Sequence, residues 1–262
     1  MNGLDAFWLF LAVGFTAQLI DGALGMAYGV VSASMLLALG VPPANVSASV
    51  HASKVFTGAA SAAAHTMHKN VVRRLFIPLA VAGVLGGLLG AYVLTSLEPE
   101  AVKPYVVAYL AIMGVVILWR AYKTDPDRTP GPFRHPVPLG LTGGFLDALG
   151  GGGWGPTVTS TLIGAGTEPR CAIGTSNTAE FFVAVAVSSA FLFALLTGRW
   201  ENPSELMEHA WAVVGLIVGG VAAAPLAAWL TKRLPMRKMT WVVGALVLGL
   251  AGYQALVIAG WV

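Results

Sequence analysis

Charge is what this sequence has least of. Its 262 residues carry 15 Lys and Arg and 12 Asp and Glu, so only 10% of the chain is charged. A soluble domain carries about 25%, and a water-facing surface cannot be built from so few ionised side chains. Cysteine is almost absent as well. Cys171 stands alone, which excludes an internal disulfide, a zinc cluster of thiolates and a redox pair. The first ten residues contain Asp5 and no Lys or Arg, so a cleavable secretory leader with its basic start is not expected. There is no Gly-x-x-x-x-Gly-Lys-Ser/Thr motif for nucleotide phosphates, no nucleophile motif and no metal-ligand spacing. The net charge of +3 sits in short clusters between apolar runs. That pattern orients membrane proteins and does not suggest nucleic acid.

What is present in quantity is apolar. Hydrophobic residues make up 56% of the chain and there are 32 glycines; the mean hydropathy is +0.76. Lipid is the solvent this composition fits. Eight apolar segments are expected, at about 5–40, 44–66, 75–97, 101–121, 137–166, 171–196, 206–230 and 238–261. Six have the length of one helical crossing. The first and fifth are broken by glycine: Asp21-Gly22-Ala23-Leu24-Gly25 with Tyr28-Gly29, and Asp147-Ala148-Leu149 followed by Gly150 to Gly153, Trp154, Gly155 and Pro156. Such runs do not continue a helix. Irregular backbone at membrane depth survives only where protein or a polar cavity surrounds it.

A shift of 126 residues superposes the two breaks without a gap. It aligns Gly14/Gly140, Thr16/Thr142, Asp21/Asp147, Gly25/Gly151, Gly29/Gly155, Ser34/Ser160, Leu36/Leu162, Gly40/Gly166, Pro43/Pro169 and Phe56/Phe182, with Tyr28 on Trp154. Gly86-Gly87 resembles Gly219-Gly220 at a slightly larger shift. The expected fold class is therefore an all-α polytopic membrane protein of two four-segment repeats. Residues 1–121 form the first, 137–262 the second, and 122–136 a cytoplasmic linker.

Loop charges give the orientation. Lys69, Arg73 and Arg74 lie between segments 2 and 3. Arg120, Lys123, Arg128 and Arg134 lie between 4 and 5, and Lys232, Arg233, Arg237 and Lys238 between 7 and 8. Lys103 and Arg199 stand alone in the loops between 3 and 4 and between 6 and 7. All three basic loops become cytoplasmic if segments 1 and 5 enter the membrane, turn at the break and leave on the same side. The repeats are then inverted, both termini lie outside, and two re-entrant hairpins meet near the midplane. That is a recurring plan of secondary transporters.

Four ionisable residues fall inside apolar segments: Asp21, Lys54, Asp147 and Glu180. An ionised group at the bilayer centre costs about 2.5–3.5 kcal/mol on insertion scales. Asp21 and Asp147 either carry a proton or cap the half-helix after each break. Lys54 and Glu180, equivalent under the shift, form an ion pair across the repeats, an anion site with a coupling acid, or both in turn. Ser49, Ser53 and Thr57 share one helix face, and Ser47, His51 and Lys54 another. The second half offers Thr175, Ser176 and Asn177. These hydroxyls and amides suit an oxyanion, or else hold helices together. With Gly25, Tyr28, Gly151 and Trp154 at the breaks, they complete the candidate substrate-binding set. Helix N-termini at the breaks also favour an anion. His65 and His68, beside Lys69, read as a solvated loop end. Trp119, Trp200 and Trp261 read as interfacial anchors.

Two stretches carry a family resemblance. Ile20-Asp21-Gly22-Ala23-Leu24-Gly25-Met26-Ala27-Tyr28-Gly29 leads to Leu39-Gly40-Val41-Pro42-Pro43 and Ser47-Ala48-Ser49-Val50-His51. Gly144-Phe145-Leu146-Asp147 runs through the four glycines to Trp154-Gly155-Pro156 and on to Glu168-Pro169-Arg170. The sequence resembles the TauE/SafE sulfite exporter family from about residue 8 to 258. Gly174-Thr175-Ser176 follows the family pattern, whereas Ala48-Ser49-Val50 departs from it in the first half. The resemblance implies proton-driven transport of sulfite, sulfonates or other small anions, and no cofactor. The expected partners are that anion and the bilayer of the cell (inner) membrane, with a homodimer possible through the outer faces of segments 3, 4, 7 and 8. An anion channel, or an intramembrane enzyme using His51 with Asp21 or Asp147, are the alternative classes.

Overall fold

The computed structural model describes residues 3–122, 133–199, 210–230 and 236–261. Lys123, Arg128, Trp200, Lys232, Arg233 and most of the 122–136 linker lie outside the described residues. Every regular element among the described residues is helical. They are α1 (Gly3–Leu24), α2 (Tyr28–Ala38), α3 (Pro43–Met67), α4 (Arg73–Thr95), α5 (Pro99–Tyr122) and α6 (Pro136–Gly150). A π-helical turn (Gly155–Thr159) runs into α7 (Ser160–Gly164), followed by α8 (Pro169–Leu196), α9 (Ala210–Leu230) and α10 (Met236–Ile258).

Among the described residues, five helices are long and apolar enough to cross a membrane: α1, α4, α5, α8 and the Thr240–Ile258 part of α10. The chain is therefore a multi-pass membrane protein. Tyr28–Ala38 and Ala210–Ala224 are shorter apolar helices. The 25-residue α3 is not among the five. Its polar run from Asn45 to Thr57 dilutes its hydropathy, and that run is largely buried.

Both breaks fall where the glycines require. α1 closes on Gly25 with φ +66° and α6 on Gly151 with φ +71°, the left-handed conformation that only glycine adopts without strain. Each glycine amide donates back to an aspartate carbonyl four residues earlier: Gly25 to Asp21 at 2.5 Å and Gly151 to Asp147 at 2.6 Å. The next long helices, α3 and α8, begin with Pro43 and Pro169 at the first turn, where a missing N–H costs nothing.

Packing exchanges the two halves. α1 lies along α9 and α4 along α6; α3 meets α8 and α5 meets α10. In the first pair, Gly3 faces Trp211, Gly215 faces Phe7 and Leu11, and Gly219 faces Leu11 and Phe15. In the second, Gly140 faces Leu79, Gly86 faces Leu141 and Phe145, and Gly90 faces Phe145 and Ala148. Residue numbers rise together in both pairs, so each runs parallel. A Cβ on Gly86 or Gly219 would strike partner backbone, so these seams close only with small residues. Two further contacts fix which helix ends are neighbours. Arg237 Nε, at the start of α10, donates to the Ala121 carbonyl at the end of α5 (3.1 Å). Gln254 Nε2, near the end of α10, donates to the Leu37 carbonyl at the end of α2 (2.5 Å).

Candidate functional site

The α-helical period sends Ser47, His51 and Lys54 to one face of α3, and that face is buried. Lys54 Nζ stands 2.9 Å from Asp147 Oδ1, 3.1 Å from Asp147 Oδ2 and 2.8 Å from Glu180 Oε1. One ammonium thus bridges α6 and α8. His51 Nε2 lies 3.1 Å from Asp147 Oδ2 and its Nδ1 lies 2.8 Å from the Ser47 carbonyl. Both ring nitrogens face acceptors, so a proton on either is held. Ser47 Oγ donates to the Ala148 carbonyl at 2.5 Å, pinning α3 to the end of α6.

Asp147 has a further donor, the Trp154 amide at 3.1 Å from Oδ1. It thereby caps the half-helix after its own break while pairing with Lys54. Asp21 caps its half-helix in the same way: Oδ1 accepts from the Ala27 amide (2.8 Å) and the Tyr28 amide (3.0 Å). The equivalent aspartates part company beyond this. Asp147 is fully buried and ion-paired, whereas Asp21 is half-buried and faces a cavity.

The breaks themselves touch. Gly29 packs against the Gly151 carbonyl and Lys54 Nζ, Gly152 against Gly29 and Val30, and Gly155 against Gly25 and Met26. A Cβ at Gly29 would overlap both of its neighbours, so the close approach depends on the missing side chain. Beside this junction lies a cavity of about 20 Å³, lined by Gln18, Asp21, Tyr28, Lys54, Thr57, Gly58, Ser61, Asn177, Glu180 and Phe181. That is room for about one water molecule.

Six of the expected site residues line this space together: Asp21, Tyr28, Lys54, Thr57, Asn177 and Glu180. The others stand around it. Trp154 is fully buried, and its indole N–H donates to the Ser176 carbonyl (3.0 Å) and Oγ (2.9 Å). Ser176 Oγ also accepts from Thr159 at 2.7 Å. Thr175 Oγ1 accepts from the Val72 amide at the start of α4 (2.9 Å). Ser53 donates to the Val50 carbonyl (2.8 Å), and Ser49 Oγ is buried with no hydrogen-bond partner among the described residues. Gly25 and Gly151 shape the two turns. His65 Nδ1 lies 3.3 Å from Asn70 Nδ2, at the end of α3.

The family model described as Sulfite exporter TauE/SafE matches residues 10–253. The chain belongs to the TauE/SafE family. It is similar to a protein of Bacillus subtilis (strain 168) called a probable membrane transporter protein, YtnM. The two are 41% identical over 246 residues, covering 92% of this chain and 79% of the relative.

Four cavity residues of this TauE/SafE member escaped the sequence reading: Gly58, Phe181 and two polar ones, Ser61 and Gln18. Ser61 accepts from Asn177 Nδ2 at 3.3 Å and extends the Ser53–Thr57 face by one turn, so the four-residue spacing could have found it. Gln18 lies one turn before Asp21, a lone amide in an apolar stretch. Neither signal says that the residue faces a cavity, because helical spacing fixes a face and not its neighbour.

Proposed function

We propose that this protein is a secondary transporter that moves small anions, sulfite and sulfonates foremost, outward across the cell membrane with proton coupling. The observation that carries this reading is the buried Lys54 between Asp147 and Glu180, on the wall of a cavity beside the junction of the two glycine breaks. Ion-paired to two carboxylates, the ammonium is over-neutralised, and the cluster repels an anion. Neutralising one carboxylate leaves a balanced Lys54–Asp147 pair with an N–H free for an oxyanion. Asp147 is fixed by Lys54, His51 and the Trp154 amide, whereas the partner of Glu180 is Lys54. Glu180 is therefore the carboxylate that takes the proton and lets go. Tyr28, Thr57 and Asn177 supply the surrounding polar groups. Ser49, Ser53, His51, Thr175, Ser176, Trp154, Gly25 and Gly151 hold the cavity's frame, and Asp21 fixes the tip of α2.

In this reading residues 1–121 and 137–262 are inverted repeats, and α1–α2 and α6–α7 are re-entrant hairpins. Five contacts support it. α6 starts beside the start of α4, and Thr175, near the start of α8, binds Val72 there too. The second hairpin thus enters and leaves on one face. α1 starts beside the start of α9, and Leu37 at the end of α2 meets Gln254 at the far end of α10. The first hairpin uses the opposite face. The Arg237–Ala121 contact brings two basic loops together, which the positive-inside rule assigns to the cytoplasm. Alternating access then moves the repeats about the α3–α8 contact that carries Lys54 and Glu180.

The test is flux in proteoliposomes. Saturable movement of sulfite or a sulfonate, accelerated by a pH gradient, is the expected result. Non-saturable, gradient-independent flux would make the protein a channel. Absence of both flux and binding across a panel of sulfite, sulfoacetate, isethionate, taurine, sulfate and carboxylates would end the reading.

A further inference from the structure

A second feature lies on the outer surface, away from the ion cluster. Between α4 and α8 runs a groove of about 400 Å³, lined by Phe76, Ile77, Ala80, Val81, Val84 and Leu85 of α4 and by Phe182 of α8. Its walls are wholly apolar side chains. Ile77, Val81 and Leu85 are more than half exposed, and the Phe76 and Phe182 rings face each other at 5.7 Å across one end. From Phe76 to Leu85 the groove follows α4 for about 14 Å at 1.5 Å per residue, which matches the upper half of an acyl chain.

The end of the groove is charged. Arg73 and Arg74 open α4, both exposed. Ile77 is four residues after Arg73 and three after Arg74. Val81 and Leu85 continue the same line at seven to twelve residues. Helical geometry places both guanidinium-bearing positions on the face that the groove occupies, one turn beyond its first residue. The ion pairs found among the described residues do not include either arginine. The N-terminus of the 23-residue α4 adds partial positive charge at the same place. Bidentate guanidinium groups suit phosphate, and anionic headgroups concentrate on the cytoplasmic leaflet.

We propose that the α4–α8 groove binds one anionic phospholipid, with an acyl chain along Ile77, Val81 and Leu85 and the phosphate held by Arg73 and Arg74. Phe182 is adjacent in sequence to Phe181, which lines the polar cavity, and their rings stand edge to face at 5.1 Å. A lipid seated in the groove therefore packs one residue away from the wall of the ion cluster.

The experiment is native mass spectrometry on the full detergent-solubilised chain, given equal dioleoyl phosphatidylglycerol and dioleoyl phosphatidylcholine. The unsubstituted protein is expected to retain one phosphatidylglycerol in preference to phosphatidylcholine. The double substitution Arg73→Gln with Arg74→Gln should lower phosphatidylglycerol affinity about tenfold to thirtyfold, as roughly 1 kcal/mol for each basic residue implies. Val81→Trp, on an exposed position, should block both lipids by filling the groove while leaving the melting temperature near that of the parent. Equal retention of the two lipids overturns the proposal, as does phosphatidylglycerol binding that survives both variants. A dimer that Val81→Trp disperses regardless of lipid also overturns it, since the groove would then be a contact between copies.

Discussion

Lys54 and Asp147, 93 residues apart in sequence, stand 2.9 Å from each other at the centre of the helix bundle. The contact joins α3 of the first half to the end of α6 in the second. A buried pair of this kind adds little over a well-packed apolar contact, but removing one partner strands the other charge. Lys54→Met should therefore lower stability by about 3–5 kcal/mol and abolish anion binding. Thermal unfolding in detergent reads the first effect and an anion-shift assay the second. Unchanged melting would mean that Lys54 does not neutralise Asp147.

The two aspartates should separate under the same substitution. Asp21→Asn keeps an oxygen that can accept from the Ala27 and Tyr28 amides, and a lost cap costs about 1 kcal/mol. Asp147→Asn removes one of the two countercharges of Lys54 and the acceptor for His51 as well. A melting decrease at least twice as large is expected for Asp147→Asn. Equal decreases would reduce both residues to caps.

Glu180→Gln mimics the protonated carboxylate. Anion binding should persist within about threefold of the parent, about 0.7 kcal/mol, while acceleration of flux by a pH gradient disappears. Gradient-driven accumulation that survives the substitution would place the coupling proton elsewhere.

Trp154→Phe deletes the indole donor to Ser176 and should cost about 1 kcal/mol, the usual worth of a buried hydrogen bond. Because the ring lies outside the cavity wall, substrate affinity should stay within about twofold once stability is restored by lower temperature, a change under 0.5 kcal/mol. A large affinity loss at full folding would bring Trp154 back among the residues that touch the anion.

Orientation can be read with an impermeant thiol reagent. In a Cys171→Ser background, a cysteine at Arg134 and one at Arg199 should label from opposite sides of the membrane in intact cells and inverted vesicles. Labelling from the same side would remove the inverted repeat.

The sequence alone determined the solvent and the skeleton. Scarce charge and abundant apolar residues require lipid, and the 126-residue shift placed both breaks, both capping aspartates and both helix-opening prolines. These are local matters: φ above zero needs glycine, and a proline starts a helix. The shift also put Lys54 and Glu180 in equivalent places, and they do pair, at 2.8 Å. Only the tertiary structure decided which carboxylate shares that ammonium, because Asp147 reaches Lys54 through the seating of the second break against Gly29. Only packing separated Trp154, sealed against α8, from Tyr28, which lines the cavity, although the two are aligned by the repeat. Helical period tells which face a residue occupies; what lies opposite that face is set by long-range contact, which a single chain's local chemistry does not contain.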